Sequence, residues 1–264
     1  MELNEETKQR HAVLFVGAGP GDPELITVKG RNALEAADQI IYTGSLVPEA
    51  LLDWARPEAR RLSSASLTLE QIVAALVDGY RRGLRQVRLH TGDPSLYGAI
   101  FEQMAALQEQ GVPYRVIPGV SAAFAAAAAM GIEYTLPEVT QTLILTRVAG
   151  RTPVPDRENL ASLAAHRASM AIYLSIQQVD RVAAALIAAY GRDAPCAVAY
   201  RVSQPEERIV FTTAGRLAQT VAGEQITRQA LIIVGQVLAS ENRSDPVRSK
   251  LYDRRFSHGH RKSS

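Results

Sequence analysis

The chain of 264 residues has little of what several chemistries require. It contains one cysteine, Cys196, so no internal disulfide can form, and no second thiolate is at hand for a zinc site or a resolving partner. The residues around it, Pro195 to Ala199, read as a buried strand, where a thiol is packed and inert. No apolar run approaches the roughly 20 residues of a membrane helix. The richest stretch, Ser121 to Met130, is short and mostly alanine. The first eleven residues are polar and charged and lack the apolar core of a secretory signal, so a cytoplasmic protein with no membrane association is expected. A net charge of only +2 is far from the dense lysine and arginine stripe of a nucleic-acid binder, and no nucleic-acid partner is expected. Neither a Ser/His/Asp signature nor a cluster of metal ligands is visible, so no covalent catalyst and no metal are assigned.

What the chain does have is a hydrophobic fraction of 47%, enough for an ordinary core, and a repeating pattern. A β-branched and aromatic run at residues 13–16 ends in glycines, and residues 24–37 follow with helical spacing at Leu25, Val28, Ala33 and Leu34. Strands are then predicted at 39–42, 86–90 and 114–117, and helices at 48–55, 69–80 and 97–108. Alternation of this kind implies parallel pairing with helical crossovers. Pro118-Gly119 closes this half, and Ser121 opens an alanine-rich helix. The second half carries predicted strands at 142–146, 170–174, 197–201, 208–213 and 230–236, with helices at 158–165, 179–189 and 215–222. The short polar stretch 203–207 suits a hairpin, so this sheet should be mixed. The reading is an α/β protein of two domains, 12–119 and 120–239, followed by a polar tail at 240–264. A mainly parallel N-terminal sheet and a mixed C-terminal sheet would hold the site in the cleft between them. His258 and His260, in the tail, read as solvated side chains.

Gly17-Ala18-Gly19-Pro20-Gly21-Asp22 stands between a strand and a helix, where a dinucleotide-binding G-x-G-x-x-G loop also sits. Its sixth position argues against a dehydrogenase: Asp22 would place negative charge beside a pyrophosphate. Asp22 and Pro23 instead read as a helix cap and first helical residue. In isolation the loop is equally a tight turn with no ligand. A phosphate loop of the G-x-x-x-x-G-K-S/T type is absent. A second loop, Arg88-Leu89-His90-Thr91-Gly92-Asp93-Pro94-Ser95-Leu96-Tyr97-Gly98, again follows a strand, where α/β sheets build sites. A third, Val116-Ile117-Pro118-Gly119-Val120-Ser121-Ala122, turns into the alanine helix.

In this order the three loops resemble those of the tetrapyrrole methylase family, over residues 13–237. That resemblance implies two α/β domains holding S-adenosyl-L-methionine, converted to S-adenosyl-L-homocysteine, and a homodimer. Tyr42-Thr43-Gly44-Ser45-Leu46-Val47-Pro48, the stretch from Leu89 to Ile100, and Ser249-Lys250-Leu251-Tyr252-Asp253 are similar to the branch that methylates precorrin-4 at C11, giving precorrin-5 in cobalamin biosynthesis. The substrate it implies is a corrin-ring precursor, with the cobalt-containing ring as the alternative. Uroporphyrinogen-III methylases, a further alternative, read Gly-Gly-Asp-Pro-Phe where Thr91 and Ser95 stand out here. An RNA ribose methylase of the same broad family would show a more basic face. A binding module without turnover is the remaining rival.

Carried over by position, the cofactor contacts are Pro20, Thr91, Gly92, Asp93, Leu96, Ser121 and Ala122, and in the second domain Leu174, Val202 and Ala230. Leu174 and Val202 depart from the usual family residues, so backbone contacts are expected there. Asp93 carries a carboxylate able to bind the methionine ammonium or a nearby backbone donor, with a helix cap before Pro94 as the alternative. His90 is the candidate proton acceptor, with a structural histidine as the alternative. Tyr42 is a candidate for lining the ring pocket, and Arg147, Arg151 and Arg157 for binding its carboxylates, with solvated loop arginines as the alternative. Arg81, Arg82, Arg85 and Arg88 read as surface charge.

Overall fold

The computed structural model describes residues 10–242 with Ser249, Phe256, Ser257 and Gly259. The chain divides into two compact units, one ending at Ala125 and the other beginning at Ala126. In the first unit, strands β1 (Val13–Gly17), β2 (Gln39–Tyr42), β3 (Arg60–Ser63), β4 (Gln86–His90) and β5 (Tyr114–Ile117) form one sheet in the order β3-β2-β4-β1-β5. Every pairing is parallel, as the alternating pattern requires.

Helix α1 (Val28–Ala36) follows β1, α2 (Leu69–Arg81) follows β3, and α3 (Ile100–Glu109) follows β4. The two faces of the sheet have separate cores. Val16, Ile40, Val87 and Leu89 pack with Leu34 of α1 and with Leu51 and Leu52. On the opposite face Val13, Phe15 and Ile41 pack with Ile72 and Leu76 of α2 and Leu107 of α3. The adjacent strands β1 and β4 therefore send their crossovers to opposite faces. In an open α/β sheet that reversal leaves a crevice at the carboxyl ends of those two strands, where such folds bind ligands.

Local chemistry moves several boundaries. The helix expected over 24–37 is broken: Asp22 accepts from Glu24 N and caps only the 3-10 turn Pro23–Leu25, and Thr27 caps α1 through Gly30 N. Residues 48–55 form a 3-10 stretch, Glu49–Trp54, in place of an α-helix. α3 starts at Ile100, three residues later than expected, because Tyr97 and Ala99 take left-handed φ values of 57° and 48°. β3 has no apolar alternation; its two arginines face solvent at the sheet edge, where charge guards against edge pairing. Helix α2 begins as its sequence indicates, with a Thr68 and Gln71 capping box.

Helix α4 (Ala122–Met130) contains the division between the units. The second sheet comprises β6 (Leu143–Arg147), β7 (Ser169–Tyr173), β8 (Pro195–Tyr200), β9 (Arg208–Thr213) and β10 (Ala230–Val234), in the order β6-β7-β10-β8-β9. Only β6 and β7 are parallel, and β8 and β9 form the expected hairpin. Met170, Ile172, Val198 and Ile232 pack under α5 (Leu160–Ala164), α6 (Val179–Tyr190) and α7 (Leu217–Gly223). Cys196 belongs to this core, and burial pushes its thiol pKa up to about 12. A 3-10 stretch, Gln236–Asn242, follows β10. His258, His260 and most of 249–253 lie outside the described residues. Among the described residues no helix is long and apolar enough to cross a membrane, and no cluster of side chains suits a metal ion.

Candidate functional site

Three backbone segments meet at the carboxyl ends of β4, β1 and β5. Ala18 N donates to His90 O at 2.7 Å, Gly19 N to Gly92 O at 3.2 Å, and Gly92 N returns to Gly19 O at 2.8 Å. Gly119, after β5, closes the group. A Cβ on Gly119 would stand 2.2 Å from Gly92 O and 2.8 Å from Gly17 Cα, and one on Gly17 would stand 2.6 Å from Gly119 Cα. All of these are backbone atoms, so hydrogen is the only side chain that fits. Gly92 is the exception on its outer side. Its φ is +62°, and a Cβ there would meet nothing nearer than Val120 O at 4.0 Å. The loop thus presents bare main chain to open space.

Asp93 fastens two of these segments together. Its Oδ1 accepts from the N–H of Ser95 at 2.8 Å and from the Ser95 hydroxyl, while Oδ2 accepts from Gly119 N at 2.9 Å. Burial pushes the carboxyl pKa upward, but the bonds from Ser95 and Gly119 outweigh it and hold the group below its ordinary value of 3.8. Asp93 is therefore an ionised brace. Both oxygens are engaged within the loop and turn, which makes positioning its first role.

Residues expected to touch the cofactor in this unit, Pro20, Thr91, Gly92, Asp93, Leu96, Ser121 and Ala122, all fall on the segments that follow β1, β4 and β5. Pro20 and Ser121 are buried, and Thr91, Gly92, Asp93, Leu96 and Ala122 are half-buried. Gly17 and Gly119 were not singled out. Their signal, a glycine at the end of one strand and another two residues past the end of its neighbour, lies in the sequence, but their mutual contact needs the sheet order.

His90 ends β4 with 2% of its surface exposed, stacked 5.9 Å from the Phe15 ring. Burial, aided by the charge of Arg88, lowers its pKa to about 3. A ring that stays neutral to that pH is a weak base near neutrality, so its surroundings give the proton-acceptor role no support. Arg88 corrects a second expectation. It is 3% exposed rather than on the surface, and it donates to Gln103 Oε1 at 2.9 Å and Ile41 O at 3.2 Å. Tyr42 is half-buried at the end of β2, packed against the α1-side core, with its carbonyl accepting from Ser64.

In the second unit Leu174 follows β7, Val202 follows β8, and Ala230 begins the antiparallel β10 opposite Tyr200, so the three share one end of that sheet. Leu174, Arg201, Ser203 and Gln229 all have left-handed φ, between 46° and 59°. Such strained backbone concentrates at functional sites. Val202 is buried and Leu174 is 70% exposed. Arg147, at the same end, donates to Val148 O, Thr152 O and Pro153 O, folding the loop after β6 around its guanidinium. Ser175, wholly buried, accepts from Val148 N and anchors that loop to β7. Arg151 and Arg157 are exposed on and beside the loop, with no hydrogen-bond or ion-pair partner among the described residues.

Comparison with known proteins gives this arrangement its context. A family model of tetrapyrrole (corrin/porphyrin) methylases matches residues 12–218. The chain is 50% identical to a cobalt-precorrin-4 C(11)-methyltransferase of Methanocaldococcus jannaschii, across 95% of this chain and 96% of that protein. It is 49% identical to a precorrin-4 C(11)-methyltransferase of Pseudomonas aeruginosa, across 94% and 97%. An X-ray structure of a cobalt precorrin-4 methyltransferase, a cobalamin biosynthetic enzyme, superposes with a TM-score of 0.84 at 44% identity, covering 86% of this chain and 95% of that one. Uroporphyrin-III C-methyltransferase of Thermus thermophilus, complexed with S-adenosylhomocysteine, superposes with a TM-score of 0.72 at 29% identity, covering 90% and 98%.

Proposed function

Because the chain belongs to the tetrapyrrole (corrin/porphyrin) methylase family and is a methyltransferase, we propose that it moves the methyl group of S-adenosylmethionine to C11 of precorrin-4, giving precorrin-5 in cobalamin biosynthesis. The observation that carries the reading is the near-even identity, 50% and 49%, to two C11-methyltransferases over almost the whole chain. Those two act on the cobalt-containing and the metal-free ring by name, so both rings are substrates to test. The same reading carries a cytoplasmic homodimer.

The first unit fits the methyl donor through its bare backbone at Gly92, open on the outer side, and through loops too tightly packed at Gly17 and Gly119 to drift. Pro20, Thr91, Gly92, Leu96, Ser121 and Ala122 would hold it, and in the second unit the backbone at Leu174, Val202 and Ala230. When bound, S-adenosylmethionine supplies a methyl carbon that already carries its leaving group. The protein's task is then orientation, which accounts for roughly 7–11 kcal/mol of a barrier when reactants are held as a near-attack pair. Asp93 keeps the β4 loop and the β5 turn in register for that purpose. Arg151 and Arg157 supply unpaired guanidinium groups for the ring's carboxylates, and Arg147 shapes the loop between them. His90 stays neutral and takes no proton.

The test is turnover with S-adenosylmethionine and each ring in separate reactions, followed by mass. Gain of a single methyl by either ring supports the reading, and the ratio of kcat/KM values assigns the preferred ring. Cofactor binding with neither ring methylated contradicts it.

A further inference from the structure

Arg88 occupies the middle of β4, in the row Gln86, Arg88, His90 that faces α2 and α3. It is a buried cation, and no ion pair accompanies it among the described residues. Removing a guanidinium from water without a carboxylate partner is expensive, and an apolar residue of similar length would fill the space more favourably. Its hydrogen bonds show what it holds. Nε donates to Gln103 Oε1 at 2.9 Å, and Gln103, itself 4% exposed, donates from Nε2 to Ala99 O at 2.9 Å. Ala99 is the left-handed residue that ends the loop after β4 and precedes α3. From the same guanidinium, Nη1 donates to Ile41 O at 3.2 Å, one residue before Tyr42.

The loop from Thr91 to Ala99 contains three left-handed residues, Gly92, Tyr97 and Ala99, two of which carry a Cβ. Backbone of this kind persists only where its surroundings fix it. Asp93 fixes the start of the loop, and the chain Arg88 to Gln103 to Ala99 fixes its end. Both arms of Arg88 thus lead to segments at the carboxyl edge of the sheet.

We propose that Arg88 is a positioning residue for methyl transfer, which sets the exit of the Thr91–Ala99 loop through Gln103 and the end of β2 through the Ile41 carbonyl without touching either substrate. The proposal rests on the methyl-donor reading above and assigns to that site a support buried beneath it. A residue serving stability alone would lower the melting temperature and leave affinity intact at temperatures well below it.

The experiment measures the melting temperature and, by calorimetry, S-adenosylhomocysteine binding to the full chain and to Arg88→Met, Gln103→Leu, Gln103→Glu and the Arg88→Met/Gln103→Leu double variant. Loss of the relay should weaken binding about tenfold in each single variant, because small misplacements of a positioned group are costly. The double variant should weaken no further than its weaker-binding parent, since both substitutions break one chain. Gln103→Glu keeps an acceptor for Arg88 and loses the donor to Ala99, so it should retain its melting temperature yet bind weakly. Affinities within twofold of the unaltered chain in Gln103→Leu and Gln103→Glu overturn the proposal even if Arg88→Met fails to fold, as does full additivity in the double variant. Absence of binding by the unaltered chain overturns the methyl-donor reading itself, and this proposal with it.

Discussion

Replacing Gly119 with alanine tests the packing of the site at its tightest point. The added Cβ would lie 2.2 Å from Gly92 O, where ordinary contact begins near 3.4 Å. The difference, 3.4 − 2.2, requires the β4 loop or the β5 turn to yield by about 1 Å. Neither can do so freely: Gly92 is bonded to Gly19 on both sides, and Gly119 N is held by Asp93 at 2.9 Å. Overpacking of this kind costs about 1–3 kcal/mol of stability. At roughly 2–4 °C per kcal/mol, the melting temperature should fall by about 2–12 °C. A 1 Å shift in a positioning segment should lower kcat/KM by about 100-fold. The control is Gly111→Ala, at a glycine of φ +65° with nothing within 4 Å of its added Cβ. That variant meets no clash; its left-handed φ, which Gly119 does not share, lies before β5 rather than at the site after it, so it should keep its kcat/KM. S-adenosylhomocysteine calorimetry and steady-state kinetics on both variants decide the matter. Equal kcat/KM in Gly119→Ala and the unaltered chain would refute the account of the glycine stack.

Other expectations follow from the titratable groups. Because Asp93 is held below its ordinary pKa of 3.8, its contribution to stability is full above that value and is lost as pH falls through the lower folded value. Asp93→Asn should therefore flatten the acid limb of a melting-temperature profile below pH 4 and weaken S-adenosylhomocysteine binding by releasing Gly119; an unchanged limb would count against the brace. The depressed pKa of His90, about 3 against 6.5 when exposed, means that the unfolded chain binds a proton the folded chain refuses between those values. Stability should fall as pH drops from 6.5 toward 3, with a slope approaching about 1.4 kcal/mol per pH unit from this group. Urea titrations across that window should show the slope removed in His90→Gln. Cys196, with its pKa near 12, should carry thiolate in about one molecule in ten thousand at pH 8 and resist a thiol reagent until urea unfolds the chain; rapid labelling of the native protein would contradict its burial.

The sequence carried the strand and helix alternation clearly, because β1 and β2 are short apolar runs and β4 sets buried Val87 and Leu89 between polar residues. It missed β3, whose Arg-Arg-Leu-Ser sequence has no apolar period and is a strand only because β2 supplies its hydrogen bonds. It extended the first helix back to residue 24, because the interruption is made by Thr27 accepting from Gly30 N, a bond that apolar spacing does not report. At the site, motif position pointed to the segments after β1, β4 and β5. Motif position says nothing of what each side chain touches. Asp93 is a brace between two loops, Arg147 folds its own loop, and Arg88 and His90 lie in the interior. Each of these depends on a partner 5 to 75 residues away, the farthest being Phe15 against His90, beyond the reach of local pattern.

The most direct test of the central claim is the position of the new carbon. Incubation of the protein with precorrin-4 or cobalt-precorrin-4 and S-adenosylmethionine carrying a carbon-13 methyl group, followed by NMR of the product, should give one labelled methyl bonded to C11. A label at any other ring carbon, or no label in either ring from a chain that binds the donor, would contradict the account.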